Sequence, residues 1–530
     1  MARLDRRSLL GGFAAGGALA MAGGLRAQVA AAPPLDEAKI GALAKAFLDR
    51  FEVPGAAVAV VRPGVPAFTR GYGVRTLGKS ALVDEHTLFG IASNSKAFTT
   101  ASLAILVDEK KLAWDDPVIK YLPEFQMYDP AVTQMMTVRD LLVHRSGLGL
   151  GAGDLMMFPA TDHSLADILR GLRYLKPESG FRAAYAYDNN MYLVAGMVLS
   201  RITGLSWEAF VTQRLLKPLG MNETVAGFSA LKGDNIAGRH ARLGPPVRGL
   251  GPMKVIQAQE QDKIDAAGGL NTSAHDVTAW FKVQLAQGKL PDGTVLWSED
   301  QAREMWTPQT LTGNGPGPDA GHPTRSVLTA YALGWSVGQV RNQRILYHSG
   351  GLMGQVTQHV LLPELGCGIA VYTNEEAGYA SSGLRNALID MLVQATEFDW
   401  VATTAARVEA RQADTVKATA TGGFVKPEGG LSLPLAAYAG RYRDPWYGDI
   451  VVAVKGEGLS IDFTRTPEFK GTLEPWGKDA FRTHFTGDDI EDAVVTFSVA
   501  DGKATRVTMK ALSPLADFSF DFQDLDFSPV

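Results

Sequence analysis

Apolar and polar positions alternate in ways that divide the chain into readable blocks. From Leu35 to Phe51, the residues Ile40, Leu43, Ala44 and Phe47 recur at helical spacing until Pro54-Gly55 ends the pattern, which predicts one amphipathic helix. "GAAVAVV" and "AFTRGYGV" then flank Pro63-Gly64 and predict two strands joined by a tight turn, the start of an antiparallel sheet. Phe98, Leu103, Leu106 and Val107 mark a buried helix from Lys96 to Val107, with Asp115-Asp116-Pro117 closing its exit. The stretch 137–287 reads as mainly helical with Gly/Pro loops. Strand patterns return at 332–340, 345–348, 355–362 and 368–372, and a helix follows through Leu384 to Gln394. The outline is helix, sheet, helical block, sheet, helix.

Beyond this block the pattern changes. "RQADTVKATATGGFVKPEGG" is rich in Ala, Thr, Gly and charge, and it places a linker at 401–430. From Leu435 onward, short alternating segments such as "DIVVAVKG", "GLSIDF" and "AVVTFSV" are separated by Gly/Asp turns, which predicts a small β-barrel or sandwich over 431–530. At the other end, Arg6-Arg7 precede a Gly/Ala/Leu stretch with the form of a secretory signal of the twin-arginine type over 1–32. Cleavage after it would release an exported, periplasmic or secreted protein. No later stretch is long and apolar enough to span a membrane; the alternative is an uncleaved N-terminal anchor.

Composition narrows the partners. A chain of 530 residues exceeds what one core normally serves, and its 46% hydrophobic content is ordinary for globular proteins. The net charge of -5 shows no long run of one sign, which argues against nucleic acid or anionic lipid and favours a small molecule or short peptide. With one cysteine, Cys367, no intramolecular disulfide or Cys-based metal site can form. There is no H-E-x-x-H and no His/Asp cluster along the sequence, so neither a catalytic metal nor any other cofactor is expected.

Candidate chemistry begins at Ser93-Asn94-Ser95-Lys96, where a serine and a lysine stand one helical turn apart at a helix start. A serine hydroxyl becomes a good nucleophile when a neighbour takes its proton, and a lysine can do so once burial lowers its pKa. A second copy at Ser229-Ala230-Leu231-Lys232 runs into Gly233-Asp234-Asn235 with no helix and is set aside. Tyr187-Asp188-Asn189 offers a phenol to move a proton and a carboxamide to hold a substrate amide. Its copy at Tyr372-Thr373-Asn374 reads as a strand terminus. In His348-Ser349-Gly350-Gly351 a polar side chain meets glycines that let substrate backbone approach. Taken alone, a histidine of this kind is more often structural.

Ser-x-x-Lys, Tyr-x-Asn and His-x-Gly in this order resemble the motifs of the penicillin-binding-protein and β-lactamase-like serine hydrolases: class C β-lactamases, D,D-peptidases and related esterases. "LFGIASNSKAFTTASLAILVDEKKLAWDDPVIKYLPEF", "TVRDLLVHRSGL", "AGGLNTSAHDVTAW" and "YHSGGLMG" extend the likeness over Leu35 to Gln394, and "YAGRYRDPWYGDIVV" makes the tail look like a lipocalin-like domain. The resemblance implies an α/β (α+β) fold, with an antiparallel sheet flanked by helices and a helical subdomain over 33–400, followed by a small all-β barrel. It implies acylation of Ser93, with Lys96 and Tyr187 sharing the base and acid roles in an order left open. Asn189 would contact the substrate amide, His348 and Gly350 would line the opposite wall, and the N–H groups of Ser93 and Gly351 would form the oxyanion hole. Where lactam-cleaving relatives keep a lysine, this chain has His348, expected to be neutral at pH 7. D-peptidase or esterase activity is therefore favoured over β-lactamase activity, and a non-catalytic sensor that acylates without turnover is the alternative from another class. The tail is expected to narrow the active-site mouth or to mediate self-association.

Two other patterns compete. Gly73 to Ser80 satisfies G-x-x-x-x-G-K-S, yet no helix begins at Lys79-Ser80 to face a phosphate. His144 in "LLVHRSGL" reads as the cap of a helix end, with a catalytic base as the alternative.

Overall fold

The computed structural model describes residues 35–244, 247–257, 261–313, 322–421, 426–487, 490–513 and 515–530; the expected signal segment lies outside them. The first amphipathic pattern forms a helix at Glu37–Phe51, started by the Asp36 carboxylate accepting from the Lys39 amide. The strands Gly55–Val61 and Phe68–Gly73 follow as expected and pair antiparallel.

They belong to an eight-stranded antiparallel sheet whose spatial order is Phe68–Gly73, Gly55–Val61, Cys367–Thr373, Gln355–Leu362, Gln343–Leu352, Ser336–Val340, Thr329–Tyr331 and Thr310–Gly313. Alternate residues of Gly55–Val61 serve two different cores. Ala56, Val58 and Val60 meet the terminal helices Glu37–Phe51 and Tyr379–Leu392, whereas Ala57, Ala59 and Val61 meet the helical block. Burial on both faces explains a strand written as an unbroken apolar run.

The segment expected as a linker needs correction. Residues 401–421 belong to a helix, Trp400–Thr421, because alanine and long charged side chains favour helix over loop. Trp400, Ala405 and Val408 bury one face of it, so the helix prolongs the first domain.

The tail is a closed eight-stranded antiparallel barrel running from Gly440–Asp444 to Asp526–Pro529. Its interior is occupied by aromatic rings, among them Phe463, Phe469, Phe485 and Phe522, at centroid separations of 5.0 to 6.3 Å. The barrel docks on the helical block. Arg465 pairs with Asp162 and lies 2.9 Å from Asp167, and the Asp162 amide donates to the Arg465 carbonyl at 2.9 Å. Core residues of the two parts form one continuous apolar cluster.

Candidate active site

Ser93 lies in a tight 3-10 turn, Ala92–Ser95, that feeds the helix Lys96–Asp108. Ala92 is held at φ 47°, a left-handed conformation that a residue with a Cβ adopts at a cost, and such strain gathers at functional turns. The turn is fixed from both sides: the Leu270 amide donates to Ser95 Oγ at 3.1 Å, and Asn94 Nδ2 donates to Thr357 Oγ1 at 2.9 Å.

Gly350 completes this clamp. A Cβ there would stand 2.0 Å from the Ile91 carbonyl oxygen, so only glycine lets its strand pass the turn that carries Ser93. Gly350→Ala is expected to cost about 1–3 kcal/mol of stability in denaturant unfolding, the range of a forced backbone shift in a packed core. Unfolding curves that coincide with wild type would contradict the clamp.

One turn beyond Ser93, the Lys96 amine is fully buried. It donates to Ser93 Oγ at 3.1 Å, to Asn189 Oδ1 at 2.8 Å and to the Ala267 carbonyl at 3.0 Å. Burial pushes its pKa down to about 7, against the pull of the Asp154 and Asp188 carboxylates. Both amine and ammonium are therefore accessible near neutral pH.

The Tyr187 hydroxyl is buried in reach of Ser93, without a well-aligned partner of its own, and the Lys96 ammonium stands 4.8 Å from the centre of its ring. Burial holds the phenol far above its usual pKa, with the Ser93 hydrogen bond pulling weakly the other way. Tyr187 ends the loop before the helix Asn189–Thr203, whose N-cap Asp188 accepts from the Met191 amide at 3.4 Å and from Ser146 Oγ at 2.8 Å. The sequence expectation brought Ser93, Lys96, Tyr187 and Asn189 together, and they do meet.

Several details differ from expectation. Asn189 bridges two protein groups, accepting from Lys96 and donating to Asp154 at 2.8 Å, so its carboxamide is engaged and orients the lysine. His348 sits behind the cleft: Nδ1 donates to its neighbour's Ser349 carbonyl at 2.6 Å, and Nε2 is 2.9 Å from the Tyr331 hydroxyl. Burial pushes its pKa down to about 3, with Lys96 adding to the effect, so the ring is neutral. Gly351 and Leu352 line the cavity where His348 and Gly350 were expected to, and a Cβ at Gly351 would meet nothing within 4 Å. His144 is no helix cap: it is a buried shelf whose ring lies 4.1 Å from that of Tyr187, with Nδ1 accepting from the Asp188 amide at 3.0 Å. The duplicate motifs are structural. Ser229 bonds Asp262, Tyr372 bonds His359 at 2.8 Å, and Asn374 accepts from the Gly55 amide at 2.7 Å.

Ser93 opens on a cavity of about 170 Å³ that sequence reasoning only partly located. One wall, Ala267, Gly268 and Ile264, comes from the helical block. A second wall comes from the barrel, whose loop before the final strand brings in Asp517, Ser519 and Phe520. Ser519 Oγ donates to Asp154 at 2.9 Å, and the Asp521 carboxylate accepts from the Gly153 and Leu155 amides at 2.6 and 3.0 Å. Phe518 packs edge-on against Tyr187 at 5.8 Å. Burial pushes Asp154 up to about 8, so at neutral pH it is largely a carboxylic acid, suited to a hydrogen-bonded pocket beside an amine. At the mouth, Arg248 pairs with Glu376 at 2.5 Å.

The turn that carries Ser93, the buried Lys96 one turn on and Tyr187 from a separate loop all fall within residues 40–394, which match the beta-lactamase family model. The chain belongs to the beta-lactamase family. Residues 426–529 match a second model, a domain of unknown function called DUF3471, which coincides with the barrel. Among curated relatives of this beta-lactamase-family chain, the unguisins hydrolase of Aspergillus campestris is 28% identical over 437 residues, 79% of this chain and 78% of that one. Protein flp of Staphylococcus aureus is 26% identical over 63% of this chain and 62% of its own length. The fold is similar to that of the octameric penicillin-binding protein homologue from Pyrococcus abyssi, with TM-score 0.58 at 19% identity, covering 90% of this chain and 98% of that one. It is also similar to the D-amino acid amidase from Ochrobactrum anthropi, with TM-score 0.53 at 21% identity, covering 67% and 98%.

Proposed function

We propose that this beta-lactamase-family chain is a serine hydrolase that works through an acyl-enzyme on Ser93, with small amide or ester substrates of the D-amino-acid peptidase or esterase type. The observation that carries the proposal is the buried Lys96 amine, 3.1 Å from Ser93 Oγ and able to shed its proton near neutral pH. Lys96 and Tyr187 together take the Ser93 proton as Oγ attacks the substrate carbonyl carbon. The Ser93 and Gly351 N–H groups hold the resulting oxyanion. The same proton then passes to the leaving amine or alcohol as its bond to carbon breaks. A water molecule, deprotonated by the same pair, attacks the acyl carbon, and its proton returns to Ser93 Oγ as the acid leaves.

The relative named as an unguisins hydrolase and the fold neighbour named as a D-amino acid amidase support amide cleavage. The cavity's ionisable lining is Asp154, held largely as its acid, with Asp517, Glu376 and Arg248, whose guanidinium is paired to Glu376. With His348 neutral, the lining favours neutral or amine-bearing substrates over the anionic lactams a β-lactamase takes. A panel of D- and L-amino acid amides, short acyl esters and nitrocefin, assayed on wild type and Ser93→Ala, tests the reading. Turnover of a D-amide or ester that vanishes with Ser93 supports it; nitrocefin as the best substrate, or one equivalent of product and then none, supports the β-lactamase or the sensor instead.

The pH profile gives an independent check. The neutral amine is the acting form, so kcat/KM should rise with pH through an apparent pKa near 7. The Asp188 carboxylate, pushed up only to about 6, is ionised across this limb and holds the amine's proton on, so Asp188→Asn should move the limb to lower pH. A profile identical to wild type would contradict the coupling. For the tail, the loop at Asp517 to Phe520 supports a role in narrowing the mouth. The Arg6-Arg7 leader supports export, which fractionation of cells expressing the full chain tests.

A further inference from the structure

We propose that His86, Glu223 and His275, none of which lines the cavity at Ser93, form a divalent-metal site with zinc(II) as its fitting ion. The three come from different segments that the sequence keeps far apart. His86 lies in the turn before the strand Phe89–Gly90, Glu223 lies before the strand Val225–Ala226, and His275 lies in the first turn of the helix Ala274–Leu285. One ligand atom from each falls within 4.8 Å of the others.

Two imidazoles and a carboxylate are a donor set suited to zinc, with water in the fourth position. His86 Nδ1 is 2.6 Å and His275 Nδ1 is 3.8 Å from Glu223 Oε1. Tetrahedral zinc ligands at their usual bond lengths stand about 3.3 Å apart, between those two separations and inside the 4.8 Å that bounds all three ligand atoms. The two rings already face each other with centroids 5.0 Å apart.

The surrounding bonds hold this triad in place. Glu223 Oε2 accepts from Ser273 Oγ at 2.5 Å, leaving Oε1 turned to the histidines. The Glu223 and Thr224 amides both donate to the buried Asp276 carboxylate, at 2.8 and 2.9 Å. The His275 amide donates to the Glu85 carbonyl at 2.9 Å, and the His86 amide to Asp84 Oδ1 at 3.0 Å. Such partners fix the direction of ligating side chains before an ion arrives. Asp84, Glu85 and Asp276 around the triad add negative charge that attracts a cation. All three ligands are partly exposed, so an ion can enter from solvent.

Isothermal titration of tag-free, chelator-treated full chain with zinc chloride tests the proposal, alongside His86→Ala, His275→Ala and their double variant, with His484→Ala as control. The expected result is about one zinc per chain for wild type and control. Affinity should fall about tenfold or more in each single variant, as loss of one ligand from three requires, with no binding in the double variant. Zinc at a hundredfold excess over Kd should raise the melting temperature of wild type by about 2–3 °C and leave the double variant unmoved. Equal binding by wild type and the double variant, or no binding by wild type, would overturn the site. X-ray absorption on zinc-loaded wild type, which needs no variant to fold, should show nitrogen and oxygen neighbours with two imidazoles; a shell without imidazole would likewise overturn it.

Discussion

Lys96→Met is expected to lower kcat/KM by about 10³–10⁴-fold, the scale of losing the base that activates a serine nucleophile. The reason lies in one atom's surroundings. Lys96 Nζ has a single outlet toward Ser93; its other contacts, Asn189 Oδ1 and the Ala267 carbonyl, hold it in place. Methionine keeps the apolar stem of the side chain and removes the proton acceptor, so the hydroxyl remains un-ionised at all accessible pH. Lys96→Arg should fail as badly although it preserves charge, because a guanidinium does not release its proton at working pH. Steady-state kinetics on the substrate found for wild type check both. A Lys96→Arg enzyme within tenfold of wild type would mean that the lysine serves only as a charge and that Tyr187 alone handles the proton.

Asp521→Ala is expected to raise KM for small substrates by about tenfold or more, while widening the range toward larger ones. Asp521 belongs to the barrel, yet its carboxylate satisfies the two backbone amides on either side of Asp154. Alanine would leave both N–H groups unpaired in a buried setting, a cost of about 1–3 kcal/mol for each unmade bond. The loop bearing Asp517, Ser519 and Phe520 would then release its hold on the cavity, and Asp154 would lose the Ser519 hydroxyl that fixes it. Misplacing positioning groups by about 1 Å can cost two orders of magnitude in rate. Kinetics on a substrate series of graded size, with the melting temperature measured in parallel, separate this effect from unfolding. Unchanged KM and unchanged size preference would show that the barrel is a bystander to catalysis.

What could be read from the chain depended on how local each contact is. The Ser93 and Lys96 pair was legible because one helical turn brings them together, and the barrel strands were legible because each alternates inside and outside residues. The strand Gly55–Val61 was legible even without period-two alternation, because its short apolar run is bounded by Pro54 and by the Pro63-Gly64 turn. The helix Trp400–Thr421 hid behind alanines and threonines that suit a linker as well as a helix. His348 was placed at the substrate because its motif position suggests it, whereas the Tyr331 hydroxyl and the Ser349 carbonyl occupy its two nitrogens. Asp154 carried no signal at all. Its partners Asn189 and Ser519 lie 35 and 365 positions away, and no local pattern of residues records a contact at such separation. The same holds for His86, Glu223 and His275, which the three-stranded sheet gathers from distant parts of the chain.

The most direct test of the account is intact-protein and peptide mass spectrometry after brief exposure to a fluorophosphonate. Ser93 lines the cavity with the Lys96 amine 3.1 Å from its Oγ, so on the proposed mechanism wild type should gain one phosphonyl adduct per chain, on Ser93, at a rate that rises with pH through about 7. Ser93→Ala and Lys96→Met should remain unlabelled over the same interval. An adduct on another residue, or equal labelling of wild type and Ser93→Ala, would contradict the assignment of Ser93 as the nucleophile.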